Sequence, residues 1–166
     1  MTPAKTIKNL QKGFTLIELL VVIGILAILL AIVLIAINPA KQFGQANDTK
    51  RTSDVHEVLN AINEYMADSK GNLPPNMPAA GAAAVNIKAG AVGNVGDICA
   101  SLVTKYIAQL PQDPTSNNGT PLNCGTGGAD AATYDTKYTV SVGASDNRIT
   151  VSTTTTYSGV PITVTR

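Results

Sequence analysis

From Leu19 to Ile37 the chain runs for 19 consecutive residues without a charge or a strongly hydrogen-bonding side chain. As a helix rising 1.5 Å per residue the run is about 28 Å long, close to the thickness of a bilayer's hydrocarbon core. It is apolar on every face, which excludes a helix that lays one stripe on a soluble core. The segment is therefore expected in a membrane. A standard secretory signal has an apolar core of roughly 7–15 residues followed by a small-residue cleavage site. Here the run is longer and the candidate cut, after Gly13, comes before it, so the run is expected to stay as an anchor.

One residue near the front of this stretch does not fit. A carboxylate at Glu18, about one turn inside an apolar helix, costs several kcal/mol unless it is paired or protonated. One reading keeps Glu18 hydrated at headgroup level. The other finds it a partner. Gly13 directly precedes Phe14, and Glu18 is the fifth residue counted from Phe14. A cut after Gly13 creates an ammonium at Phe14, and Glu18 of one subunit would neutralise the Phe14 amine of its neighbour, a contact that exists only in an assembly.

The run Gly13-Phe14-Thr15-Leu16-Ile17-Glu18-Leu19-Leu20-Val21-Val22-Ile23 resembles the class III signal of bacterial type IV pilins and type II secretion pseudopilins, nearly residue for residue. The resemblance implies that prepilin peptidase cuts after Gly13 and methylates the new terminal Phe14. It implies that Glu18 then docks against a neighbour's terminus as the helix enters a filament. The implied partners are other copies of the chain, the peptidase, and a pilus assembly platform with its ATPase. The implied itinerary is the cytoplasmic membrane, with the head exported, and then a pilus at the cell surface. A second, weaker resemblance lies at Tyr106-Ile107-Ala108-Gln109-Leu110-Pro111-Gln112-Asp113-Pro114, which is similar to the Y-I-x-x-L-P-x-D-P stretch of the same family.

Charge supports that topology and argues against one class of partner. Lys5, Lys8 and Lys12 precede the apolar run with no acid among residues 1–13, which keeps the leader cytoplasmic by the positive-inside tendency. Of the twelve Lys and Arg those three leave nine against eleven Asp and Glu, a net of −2 for the chain after the cut. No basic cluster exceeds Lys50-Arg51, so direct nucleic-acid binding is not expected. With no Trp, two Phe and five Tyr, the core has to be aliphatic.

The expected organisation is a leader over 1–13, a membrane or filament-core helix over 14–37, an amphipathic continuation over 38–71 and a globular head over 72–166. Asn38-Pro39 interrupts the helical pattern, because proline removes an amide donor and crowds the carbonyl of Ile35. Pro39 is thus a candidate kink, about one turn later than many relatives carry theirs, and Gly44 weakens the helix again. Val55, Val58, Leu59, Ile62 and Met66 form one stripe at helical spacing, with Asp48, Asp54, Glu57, Glu64 and Asp68 outside it. Lys70-Gly71 and Pro74-Pro75 stop the helix, which would span about 84 Å from Phe14 to Ser69. His56, the single histidine, is expected on the solvated side.

Residues 72–96, rich in Pro, Ala, Gly and Asn, read as loop. Gly90, Gly93 and Gly96 lack the following Lys-Ser/Thr and the preceding strand of a phosphate loop. Asp97 is placed as the N-cap of a short helix near 97–108, with Ile98, Leu102 and Tyr106 on one face. Further on, Tyr138, Val140 and Val142 alternate with polar residues, as do Ile149, Val151 and Thr153, and Val160–Thr165 adds a third strand with Pro161 at its start. The fold class is α+β: one long N-terminal helix, hydrophobic in its first half, with a small antiparallel sheet packed on its second half.

Cys99 and Cys124 are the two cysteines, in a segment expected to be exported. An even count in an oxidising compartment favours a bridge, and two free thiols are the alternative. The residues offer no activated serine, no Cys–His pair and no histidine-rich metal spacing, so no enzyme is expected. Asp130, Asp135 and Asp146 are a weak candidate Ca²⁺ set beside the reading of three solvated aspartates, and no other cofactor is implied. The expected function is a structural pilus subunit. The alternatives are a pseudopilin of a secretion or DNA-uptake machine, and a bitopic membrane protein with an exported binding domain.

Overall fold

The computed structural model describes residues 13–89, 95–116 and 134–166. These divide into two compact units, Met1–Ala40 and Lys41–Arg166. The first unit contains α1 (Leu16–Ile37), 22 residues with none buried, long and apolar enough to cross a membrane. Leu, Ala and Ile carry the helix, and Gly24 weakens it by about 1 kcal/mol. It ends at Asn38, whose φ of 47° is left-handed. Proline disfavours the right-handed helical conformation in the residue before it, and asparagine tolerates the left-handed one. Pro39 then stands first in α2 (Pro39–Asp68), where its missing N–H and fixed φ suit a helix start. The interruption expected at Asn38-Pro39 is a one-residue break carried by Asn38.

Within the second unit α2 turns its stripe to a core. Val55, Val58 and Ile62 are fully buried, Leu59 nearly so, and Met66 packs at the margin. The helix stops as the sequence suggests: Lys70 (φ 57°) and Gly71 (φ 86°) are left-handed, and the Gly71 amide donates back to the Met66 carbonyl at 2.8 Å. His56 is exposed. One expectation is corrected. Asp54 lies on the core face at 4 % exposure. It is held there by the Tyr138 hydroxyl at 2.8 Å and by Lys50, whose ammonium reaches both carboxylate oxygens at 3.1 Å.

Four antiparallel strands in the order β1-β2-β3-β4 cover that face: β1 (Val85–Lys88), β2 (Asp135–Val142), β3 (Ile149–Thr153) and β4 (Ile162–Thr165). Strands β2 and β3 alternate buried and part-exposed residues, as their period of two requires. Tyr138, Val140, Ile149 and Val151 close on Val55, Val58 and Ile62. Strand β1 falls in the stretch expected to be loop. Its four residues hold one fully buried side chain, Ile87, and its pairing of Val85 with Val140 supplies the order that its composition does not.

The pairing of β1 with β2 slips between Asn86 and Lys88, where Lys137 adopts φ 65°. Thr136, fully buried, fills the irregularity. Its hydroxyl donates to the Ile87 carbonyl at 2.8 Å and accepts the Tyr138 amide at 3.1 Å, replacing ladder bonds that the bulge removes.

The helix expected near 97–108 is much shorter. It is α3 (Cys99–Leu102), its N-cap is Ile98 without a side-chain bond, its C-cap Val103 is extended, and Thr104 beyond it is left-handed at φ 74°. Asp97 does not cap, because the Tyr134 hydroxyl donates to its carboxylate at 2.6 Å. Ile98, Leu102, Ile107 and Leu110 are nonetheless buried in the common core, and Tyr106 meets Tyr65 edge-on at 5.5 Å.

Candidate functional site

The charge expected to act is placed at the mouth of α1. Gly13, Phe14 and Thr15 are outside the helix, Gly13 is exposed, and Phe14 is 86 % exposed. Thr15 is the N-cap of α1, with φ −82° and ψ 153°. Its hydroxyl accepts the Glu18 amide at 3.3 Å. In return Glu18 Oε2 accepts both the Thr15 amide and the Thr15 hydroxyl at 2.8 Å. This reciprocal capping box satisfies donors that a helix start leaves without partners. Glu18 Oε1 makes no hydrogen bond among the described residues. An open apolar groove of about 370 Å³ adjoins it, lined by Phe14, Ile17, Glu18, Val21 and Val22.

Glu18 is the one charge in α1, and the helix offers no cation to neutralise it. The arrangement fixes one oxygen of the carboxylate to Thr15, next in sequence to the Gly13–Phe14 junction. Thr15 was not singled out from the sequence, although Thr15-x-x-Glu18 before an apolar run is the signature of such a box.

Residues 8–34 match the family model of the prokaryotic N-terminal methylation motif. Over 123 residues the chain is 37 % identical to the fimbrial protein EcpC of Eikenella corrodens, a span of 66 % of this chain and 74 % of that one. The chain belongs to the type IV pilin and pseudopilin family. No solved structure matches it. The membership points to a structural subunit, anchored by its apolar helix, and the α+β architecture is pilin-like.

In this pilin-like head a second constellation went unnoticed in the sequence. Arg51 is 2 % exposed and Asp113 fully buried, and they pair at 2.6 Å (Nε to Oδ2) and 3.2 Å (Nη2 to Oδ1) across 62 residues. Asp113 Oδ1 also accepts the Thr115 hydroxyl and the Thr115 and Ser116 amides. Burial pushes its carboxyl upward, but the Arg51 guanidinium and these Thr115 and Ser116 donors outweigh it and hold the group well below the usual carboxylate range. Arg51 Nη1 donates to Asp48 at 2.9 Å, and Asp48 accepts the Tyr157 and Ser158 amides. Asp48 is lowered too: burial opposes, and the Tyr157 and Ser158 amides with Arg51 prevail. Asp113 belongs to the Leu110-Pro111-Gln112-Asp113-Pro114 stretch, and this pair ties that stretch to α2.

The remaining candidates are placed as follows. Cys99 is buried and disulfide-bonded, while Cys124 lies outside the described residues. Asp130 lies outside them as well, as do Gly90 and Gly93. Asp135 pairs with Lys137 at 2.7 Å, and Asp146 accepts the Arg148 amide at 3.1 Å. Among the described residues no group of His, Cys, Asp and Glu is disposed to hold a metal. Burial, then Asp97 and Asp54 respectively, push the Tyr134 and Tyr138 phenols well upward, so both remain neutral hydrogen-bond donors.

Proposed function

We propose that the chain is a filament-forming pilin, cut by prepilin peptidase between Gly13 and Phe14 and polymerised through its apolar helix. On this reading the new Phe14 terminus is methylated, and its ammonium pairs with Glu18 of an adjoining copy. The observation that carries it is the capping box: Thr15 takes Glu18 Oε2, so Oε1 is held at the helix mouth without a donor of its own. In hydrocarbon or a dry helix core that oxygen is costly until a cation arrives. Cleavage supplies one, on a chain end that is exposed.

Residues 1–13 are then the cytoplasmic leader, 14–37 the membrane and later filament-core helix, 38–71 its continuation and 72–166 the exported head. The peptidase, an assembly platform and its ATPase are the partners. The head carries a Cys99–Cys124 bridge. Copies related head to tail by a non-closing rotation generate the filament. The test compares Glu18→Ala with Glu18→Gln. Both should insert into the membrane at normal levels and fail to yield shear-released filaments, because the amide can keep the Thr15 bonds but carries no charge. Normal filaments from Glu18→Gln would refute the pairing.

A further inference from the structure

Tyr157 of the head unit is 55 % exposed, yet its position is fixed. One end of its ring rests on the buried Gly44, so closely that a Cβ there would run into ring atoms Cγ, Cδ1 and Cδ2. The amides of Tyr157 and Ser158 donate to Asp48 at 2.9 and 3.3 Å, Asp48 is held by Arg51, and Arg51 by the fully buried Asp113. Beside the ring opens a notch of about 220 Å³, with Asn47, Arg51, Thr115, Thr155 and Thr156 in its walls.

The polar groups around this notch are only partly used. Arg51 is 2 % exposed; its Nε and Nη2 are committed to Asp113 and Thr115, and Nη1 donates once, to Asp48. That leaves the second N–H of Nη1 without an acceptor among the described residues. Thr155 and Tyr157 bond through their backbone amides, while their hydroxyls and the Asn47 side-chain amide make no hydrogen bond among the described residues. A half-buried pocket that gathers unengaged donors and acceptors beside an open aromatic ring is the arrangement by which small-molecule sites set a ligand's orientation.

We infer that the notch is a binding site for one neutral sugar ring, with Tyr157 as the platform on which the C–H face of that ring lies. Charge excludes the other ligand classes. Arg51 between Asp48 and Asp113 sums to 1 − 2 = −1, which repels an anion. Both oxygens of each of those carboxylates already accept a hydrogen bond, so a cation finds none open. A wholly apolar ligand would cut the Asn47 amide and the Thr155 and Tyr157 hydroxyls off from water without replacing their bonds. A pyranose suits both halves of the site. Its C–H groups meet the aromatic ring, and its hydroxyls both donate and accept, as the guanidinium, the amide and the threonine hydroxyls require. The notch has room for a single ring of this kind.

The test uses the full chain, solubilised in a detergent without a sugar headgroup and titrated separately with methyl β-D-glucopyranoside, methyl β-D-galactopyranoside and N-acetylglucosamine. Saturation-transfer NMR should mark the C–H protons of at least one of these rings, and the signal should saturate with sugar concentration. Tyr157→Ala should weaken that binding by about tenfold. Asn47→Ala removes a side chain with no bond inside the head and should weaken it several-fold, which keeps the readout valid should Tyr157→Ala disturb its loop. His56→Ala, at an exposed position on the same helix as Asn47, should leave it unchanged. Absence of saturable transfer to all three sugars overturns the site. So does binding that neither Tyr157→Ala nor Asn47→Ala weakens, or that His56→Ala weakens as much.

Discussion

At the residue scale, the proposed reading gives Glu18 two tasks. Its Oε2 closes the capping box with Thr15. Its charge is what a neighbour's terminus would need. Arg51 and Asp113 make a different point. Removing one member of a buried pair strands the other, which costs about 3–5 kcal/mol. Arg51→Ala should therefore lower the denaturation midpoint of the detergent-solubilised chain more than His56→Ala, which alters an exposed residue. The pair also sets an acid limit. A carboxyl held low in the folded state stabilises fully above the unfolded value near about pH 4 and loses that contribution as pH falls through the folded value. Unfolding of the wild type should become easier as pH falls below about 4, and Asp113→Asn should flatten that dependence; an unchanged acid limb would contradict the role given to Asp113. The methylation motif at residues 8–34, which contains Gly13, Phe14 and Glu18, was legible because its signal is local to one short stretch. Asp54 and Arg51 were misread or unread because their burial depends on Tyr138 and Asp113, which sequence spacing does not connect to them.

Elements that announce themselves by period were found, and those that depend on neighbours were not. The stripe on α2, strands β2, β3 and β4 and the stop at Lys70-Gly71 all follow from 3.6- or 2-residue alternation and known terminators. β1 has too few residues to show an alternation, and it exists because β2 offers it an edge. α3 is shorter than its apolar spacing suggests, since Asp97 is claimed by Tyr134 and Thr104 turns left-handed. The β1–β2 bulge makes its own prediction. Thr136→Val keeps the volume but leaves the Ile87 carbonyl and Tyr138 amide without that hydroxyl, so stability should fall by about 1–3 kcal/mol in equilibrium denaturation. A change within error would mean that water or the backbone replaces it. For the proposed bridge, Cys99 and Cys124 should resist thiol labelling without reductant. Reducing a bridge that closes this loop should cost about 3–4 kcal/mol in the chain-entropy model. Full labelling before reduction would dismiss it.

For the whole molecule, two units of opposite character share one chain: a helix with nothing buried and a head whose core joins aliphatic side chains to Tyr134 and Tyr138. Such a helix is stable where its surroundings are apolar. On the proposed reading those surroundings are first lipid and then copies of itself, and the transfer between them hinges on freeing Phe14. N-terminal sequencing of the protein in sheared surface filaments tests this most directly. The account predicts a sequence beginning at Phe14, with the terminal residue methylated; filaments built from chains that still begin at Met1 would contradict it.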